Sequence, residues 1–253
     1  MTEAEVRKTK GFSLIELMIA MAILTIIATA AVPRVQVWNA RNRGLQTVME
    51  LISDFSKARS VAGYTVAVNS DSGKIEIPVD IDHPDGDKMP VYMGVRRQTA
   101  MVFRKSEYGI YQKQSMNTAS WDASALLLKK NALLDTVTVE KVNGSATQSD
   151  VSSFDEANTF NFTSTGKLKK FDGSIISSGA GSGKCGAGIT ERYLQNIVFS
   201  AVIRSKISKG GKDSIWYRVD IDQRGEYMVC TVFKETDSIS DSDFDNDGVM
   251  LDV

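Results

Sequence analysis

The chain has very little of what most enzyme chemistry needs. It contains a single histidine, His83, in 253 residues, which leaves little room for a histidine-based triad, a multi-histidine metal site or a histidine pH switch. No G-x-S-x-G elbow and no C-x-x-C pair occurs. Gly179-Ala180-Gly181-Ser182-Gly183-Lys184 has the composition of a phosphate loop, but Cys185 follows the lysine where Ser or Thr is required. The sequence therefore reads as non-enzymatic. Charge of one sign is also missing: 30 basic and 31 acidic residues give a net charge of −1, so no overall field draws the chain to nucleic acid or anionic lipid. Proline is scarce, with four residues. Hydrophobic residues at 42% and charged residues at 24% argue against wholesale disorder.

One long apolar run stands out. Phe12–Val32 (FSLIELMIAMAILTIIATAAV) holds a single charge, Glu16, and no Gly or Pro before Pro33. As a helix it spans roughly 31 Å, the hydrocarbon thickness of a bilayer. Arg7, Lys8 and Lys10 precede it, and positive charge on that flank favours a cytoplasmic N-terminus with the rest of the chain outside. A secretory signal would end in a small-x-small site, for which Ala28, Ala30 and Ala31 are loose candidates, and a plain anchor needs no charge in its span. Glu16 counts against both, because a carboxylate in hydrocarbon costs several kcal/mol and marks a function. With no basic partner in its own helix, its partner should come from another molecule.

Lys10-Gly11-Phe12-Ser13-Leu14-Ile15-Glu16-Leu17 resembles the prepilin cleavage motif of type IV pilins and type II secretion pseudopilins. The resemblance implies a leader of residues 1–11, cut after Gly11 by a prepilin peptidase, and N-methylation of Phe12. It also implies a retained helix that assembles with other pilins or pseudopilins through an inner-membrane platform. Glu16 would then face the new α-ammonium of a neighbouring subunit, and Pro33 would mark the helix kink near the membrane exit. The place implied is the bacterial inner membrane, single-pass with the head outside the cytoplasm, and then a pilus or periplasmic pseudopilus.

Beyond Pro33, Leu45, Val48, Ile52 and Phe55 recur at helical spacing, while Arg41, Arg43, Glu50, Asp54, Lys57 and Arg59 occupy the remainder. The pattern predicts an amphipathic helix to about Val61, stopped by Gly63, its apolar face packed on a sheet. Strands are predicted at Thr65–Val68, Lys74–Ile77, Val91–Val95, Thr99–Phe103, Val137–Val142, Thr159–Phe162 and Ile197–Ile203. Ser214–Asp222 alternates and turns at Asp222-Gln223-Arg224-Gly225 into Glu226–Phe233, a hairpin. Residues 107–135 are ambiguous, with a short helix at Ala123–Leu134 as one reading; Gly144–Asn158 reads as a surface loop and Ser174–Gly188 as a loose Gly/Ser loop. The expected fold class is α+β, a long N-terminal helix on an antiparallel β-sheet head. The expected divisions are 12–36 for the membrane and filament-core helix, 37–62 for its amphipathic half, 63–234 for the head and 235–253 for an acidic tail.

Within the superfamily the chain is most similar to pseudopilin-H and FimT-like minor pilins. The likeness rests on Ala58-Arg59-Ser60 and on the strand-turn-glycine stretches Phe160–Lys167 and Val219–Gly225. A minor, low-copy subunit is implied, with a DNA-binding minor pilin of natural transformation as the alternative. Lys167, Lys169, Lys170, Lys206, Lys209 and Lys212 would be the basic surface. If the head lies outside the cytoplasm, Cys185 and Cys230 are economically read as one disulfide, closing a loop of about 46 residues and worth roughly 4 kcal/mol at most; two buried free thiols are the other reading. Finally, Asp243, Asp245, Asp247 and Gly248 fit the opening of a D-x-D-x-D-G calcium loop, with the Val249 carbonyl as a further ligand. The competing reading is a solvated acidic tail, with seven acids and no base from Glu235 onward.

Overall fold

The structure, a computed structural model, describes residues 13–63, 65–66, 80–82, 88–90, 95–96, 99–112, 126–148, 158–163, 166–169, 176, 183–187 and 191–251. The chain divides into two units, residues 1–39 and 40–253. One helix, α1 (Leu14–Gly63), contributes to both and runs through Pro33. The expected strand at Lys74–Ile77 lies outside the described residues.

In the second unit, strands follow α1 in chain order. The first four are short: β1 (Thr65–Val66), β2 (Asp80–Asp82), β3 (Lys88–Pro90) and β4 (Val95–Arg96). Then come β5 (Thr99–Phe103), β6 (Glu107–Gln112), β7 (Leu126–Ala132), β8 (Val137–Val142), β9 (Ser145–Ala146), β10 (Thr159–Phe162), β11 (Leu168–Lys169), β12 (Gly183–Cys185) and β13 (Arg192–Leu194). The last are β14 (Ile197–Lys206), β15 (Ser214–Asp222), β16 (Tyr227–Lys234), helix α2 (Asp241–Asp247) and β17 (Val249–Met250). Two sheets carry the head: a five-stranded one ordered β11-β10-β5-β6-β7 and a six-stranded one ordered β17-β16-β15-β14-β8-β9. Every pairing is antiparallel. The α+β expectation holds: a long helix followed by antiparallel sheets, the pilin-like arrangement.

The second half of α1 closes one core against both sheets. Val48, Leu51, Phe55, Ala58 and Ala62 are buried on one helical face, with Leu45 and Ile52 only partly covered. The predicted apolar stripe is therefore rotated slightly toward residues 51, 58 and 62. Phe199 of β14 sits at the junction, its ring 5.0 Å from Phe55, 5.5 Å from Phe103 and 5.7 Å from Phe160. At Gly44 the helix passes so close to β15 that an added Cβ would lie 2.2 Å from the Tyr217 ring.

Three sequence expectations need correction. Ala123–Leu134 is not helical where it is described: residues 126–132 are β7, paired with β6. Leu, Lys and Ala favour helix only weakly, and cross-strand pairing overrides them. Asp54 is not on the solvent face but 2% exposed. Its carboxylate accepts hydrogen bonds from Tyr108 Oη (2.9 Å), Asn131 Nδ2 (2.6 Å) and Lys129 Nζ (2.7 Å), and Lys129 also reaches Glu50 at 3.4 Å. This polar knot fastens α1 to β6 and β7, and burial pushes the Tyr108 phenol well above its ordinary pKa. Within the Ser174–Gly188 stretch, residues 183–185 are not loose: they form β12, paired with β13. Asp54→Ala strips a buried acceptor from three donors and is expected to lower unfolding stability by about 2 kcal/mol. Chemical denaturation of the head should show it, and Asp54→Asn should lose less.

Candidate functional site

The first unit is an apolar surface with nothing of its own to bury it. From Leu14 to Trp38 its large side chains are exposed, among them Ile15, Met18, Leu24 and Ile27, each by half or more. By length and composition this helix can cross a membrane. Its hydroxyls are internally satisfied: Thr25 donates to the Ala22 carbonyl at 2.7 Å and Thr29 to that of Ile26 at 2.8 Å. Glu16 is the only acid from Leu14 to Asn39. It lies in the first turn, where its carboxylate accepts the Ser13 backbone N–H at 2.9 Å, as negative charge at a helix N-terminus favours. It makes no ion pair among the described residues. Gly11 and Phe12 lie outside the described residues.

In the head, Cys185 and Cys230 are disulfide-bonded, with 5.7 Å between their Cα atoms. The bond ties β12 to β16 beneath α2. The alternation in β15 holds, but both of its faces are buried. Ile215, Tyr217, Val219 and Ile221 face α1. On the other face, Trp216 joins Val202, Met228, Val232, Ile239 and Phe244 in a second core around the disulfide. The C-terminal segment is that second cover. Phe244 is fully buried, and its carbonyl accepts the N–H groups of Gly186 and Gly248. Position 248 has room only for glycine: a Cβ would lie 2.2 Å from the Phe244 carbonyl oxygen and 2.3 Å from Cys230 Sγ.

The acidic segment is thus an ordered cap. Three of its acids are met by the protein's own cations. Lys234 bonds Asp243 at 2.6 Å, Arg204 bonds Asp237 at 2.6 Å, and Arg218 reaches Asp245 at 3.2 Å with its guanidinium 5.0 Å above the Phe244 ring. Arg218 also bonds Asp220 at 3.0 Å. Asp220 is nearly fully buried, and that burial raises its pKa despite Arg218 and Ser200. The D-x-D-x-D-G segment was expected to curl as a loop. It forms a helical turn instead, since Asp243 caps α2 by accepting both the backbone N–H and the hydroxyl of Ser240. Asp245 and Asp247 follow in α2, and Val249 opens β17. No group of three or more metal-ligating side chains comes together among the described residues.

Arg59 brings together the three stretches that carried the subfamily likeness. Its guanidinium donates to the Gln223 carbonyl at 3.1 Å. A Cβ at Gly166 would lie 3.1 Å from its side chain, and one at Gly225 would lie 2.9 Å from it. Both glycines have positive φ, +73° and +94°, a conformation that glycine adopts without strain. Asp222 closes the second turn by accepting the N–H groups of Arg224, Gly225 and Glu226, each at 2.8 Å. Burial alone would raise its pKa, but the Arg224 guanidinium and these N–H groups outweigh it and hold it low. Of the lysines considered for DNA, Lys209 pairs with Asp135 at 3.5 Å, and Lys170 lies outside the described residues. The polar knot at Asp54 and the buried Arg218–Asp220 pair escaped the sequence reading, because a charged residue in an amphipathic pattern looks solvated.

Two outcomes follow for the cap. Reducing the disulfide, or replacing Cys185 and Cys230 by Ser, is expected to lower stability by about 2–4 kcal/mol. Amide exchange should accelerate first in residues 237–250. The Lys234 ammonium and the Ser240 donors bring the Asp243 pKa down to about 2. Because the folded value is depressed, that stabilisation is present above about pH 4 and is lost as pH falls toward about 2. Melting curves across that window should show the loss, and Asp243→Asn should flatten it.

Comparison with known families matches residues 6–32 to the Prokaryotic N-terminal methylation motif. No curated protein and no solved structure matches the chain. The matched stretch contains the basic flank, the Gly11-Phe12 junction, Glu16 and the exposed apolar half of α1. The motif, joined to a long helix followed by antiparallel sheets, supports a type IV pilin-like protein.

Proposed function

We propose that this chain is a minor pilin or pseudopilin, a non-enzymatic structural subunit of a type IV pilus or type II secretion pseudopilus. The prepilin peptidase removes residues 1–11, Phe12 becomes the methylated N-terminus, and the subunit waits in the inner membrane with its head outside. It then joins other pilins or pseudopilins through the first half of α1, driven by an assembly platform. The observation that carries this reading is the exposed apolar helix from Leu14 to Val32, matched by the methylation motif and bearing one acid, Glu16, without a basic partner among the described residues. Lipid covers such a surface in the membrane, and neighbouring helices cover it in a filament. The Glu16 carboxylate offers the counter-charge for a neighbour's α-ammonium, a pair worth more where water is excluded. The Cys185–Cys230 bond agrees with a head that matures in an oxidising compartment.

The length of the mature chain, 242 residues by cleavage after Gly11 of 253, favours a low-copy subunit. The stretches that carry the pseudopilin-H and FimT-like resemblance meet at Arg59, near the end of the long helix, and both turns it approaches hold glycine at positive φ.

Two measurements test the reading. Intact mass of the membrane-extracted protein is expected to lack residues 1–11, to carry one added methyl group and to gain two hydrogens on reduction; an uncleaved N-terminus in a host with the peptidase would remove the filament reading. Glu16→Ala is expected to lower filament incorporation at least tenfold, the loss of roughly 1.4 kcal/mol or more, while the head melts as before. Normal incorporation of that variant would show that Glu16 has no role in assembly.

A further inference from the structure

Trp38 is the most exposed aromatic side chain among the described residues, at 63%. It lies in the first unit, just before the head unit begins at Ala40. Its neighbours Val35 and Val37 are 51% and 39% exposed. Arg34, one turn earlier on the same face, is also exposed and makes no ion pair among the described residues.

The height of these residues along the helix is informative. From Leu14, where α1 begins, Arg34 lies about 30 Å and Trp38 about 36 Å along a helix rising 1.5 Å per residue. The hydrocarbon layer is about 30 Å thick, and the whole bilayer with its headgroups about 40–45 Å. A helix that starts at the cytoplasmic face of the hydrocarbon therefore carries Arg34 and Trp38 into the outer headgroup layer. Indole belongs there, having an apolar body and one N–H donor. Guanidinium belongs there too, as a bidentate partner for phosphate.

Arg34 is not explained by topology. Three basic residues precede the span (Arg7, Lys8, Lys10) and three follow it closely (Arg34, Arg41, Arg43). The basic leader favours a cytoplasmic N-terminus, so positive charge on the far side of the span is not what orientation calls for.

We propose that Arg34 and Trp38 form an interfacial anchor for the outer leaflet, binding the phosphate and glycerol region of phospholipids before assembly. The inference rests on the membrane stage of the function proposed above and adds to it a fixed depth. With Trp38 held at the outer headgroups, Glu16, 22 residues away, lies about 33 Å deeper, at the inner edge of the hydrocarbon rather than in its middle. The carboxylate then waits where water and headgroups reach it.

The test uses the full chain reconstituted into phosphatidylcholine–phosphatidylglycerol vesicles, with bromine placed either high or low on the acyl chains. Flotation comes first. If the protein does not float with the vesicles, the membrane reading of α1 fails, and this inference with it. If it floats, bromine near the headgroups is expected to quench the tryptophan emission about twofold more than bromine near the chain ends. W38F should abolish that difference, and R34E should reduce it by drawing the ring away from the phosphates. Flotation with quenching that W38F leaves unchanged would overturn the anchor alone, and would give Trp38 to a neighbouring subunit.

Discussion

Phe55 meets Phe162 and Phe199 at 5.0 Å each, and through these two rings α1 engages both sheets at once. Phe162 belongs to the five-stranded sheet and Phe199 to the six-stranded one. The two sheets share no strand, so this aromatic junction and the helix beneath it make a single core from them. Edge-to-face and tilted rings at these distances add about 0.5–1.5 kcal/mol per pair beyond their buried area. The Asp54 knot and the Gly44–Tyr217 approach fix the same helix at two further points. Ala58, Ala62 and Gly44 are small because the sheets come close to the helix there.

The same helix has to suit two surroundings, and its residues change accordingly. Up to Val32 it is apolar all round, as a helix in lipid must be; beyond Ala40 it is amphipathic, as a helix on a sheet must be. The changeover runs from Pro33 to Asn39, where arginine, valine and tryptophan alternate within one and a half turns. A segment facing only water would not keep Val35, Val37 and Trp38 exposed. A segment facing only hydrocarbon would not keep Arg34. The composition of this changeover is that of an interface.

Where one physical rule dominated, the sequence could be read. Thr99–Phe103, Val137–Val142, Thr159–Phe162 and Ser214–Asp222 each appear as strands with the predicted bounds, because β-branched and aromatic residues at short period leave few alternatives. A helix long and apolar enough to cross a membrane was legible from its length and composition. The misread segments are those in which distant residues decide. β7 contains Leu-Leu-Leu-Lys-Lys, which has no strand signature. Lys129 and Asn131 are held in register by Asp54, more than seventy residues away. On β15 the sequence showed the alternation but not that both faces are buried, because nothing local announces that the C-terminal segment returns to cover Trp216, Arg218 and Asp220.

The acidic C-terminal segment shows how a charge pattern can admit two solutions. Seven acids without a base repel one another, and that repulsion must be relieved by an external cation, by solvent or by cations elsewhere in the chain. In the head, Lys234 of β16, Arg204 of β14 and Arg218 of β15 supply the positive charge, and all three strands belong to the sheet that the cap covers. Arg204 and Arg218 are themselves nearly buried, their side chains each 6% exposed. Without the acids they would be desolvated charges with too few partners, a state that costs several kcal/mol. Acidic cap and basic sheet face are therefore mutually dependent. The disulfide lies beneath the cap and ties β12 to β16 at the point where Phe244 seals the apolar side.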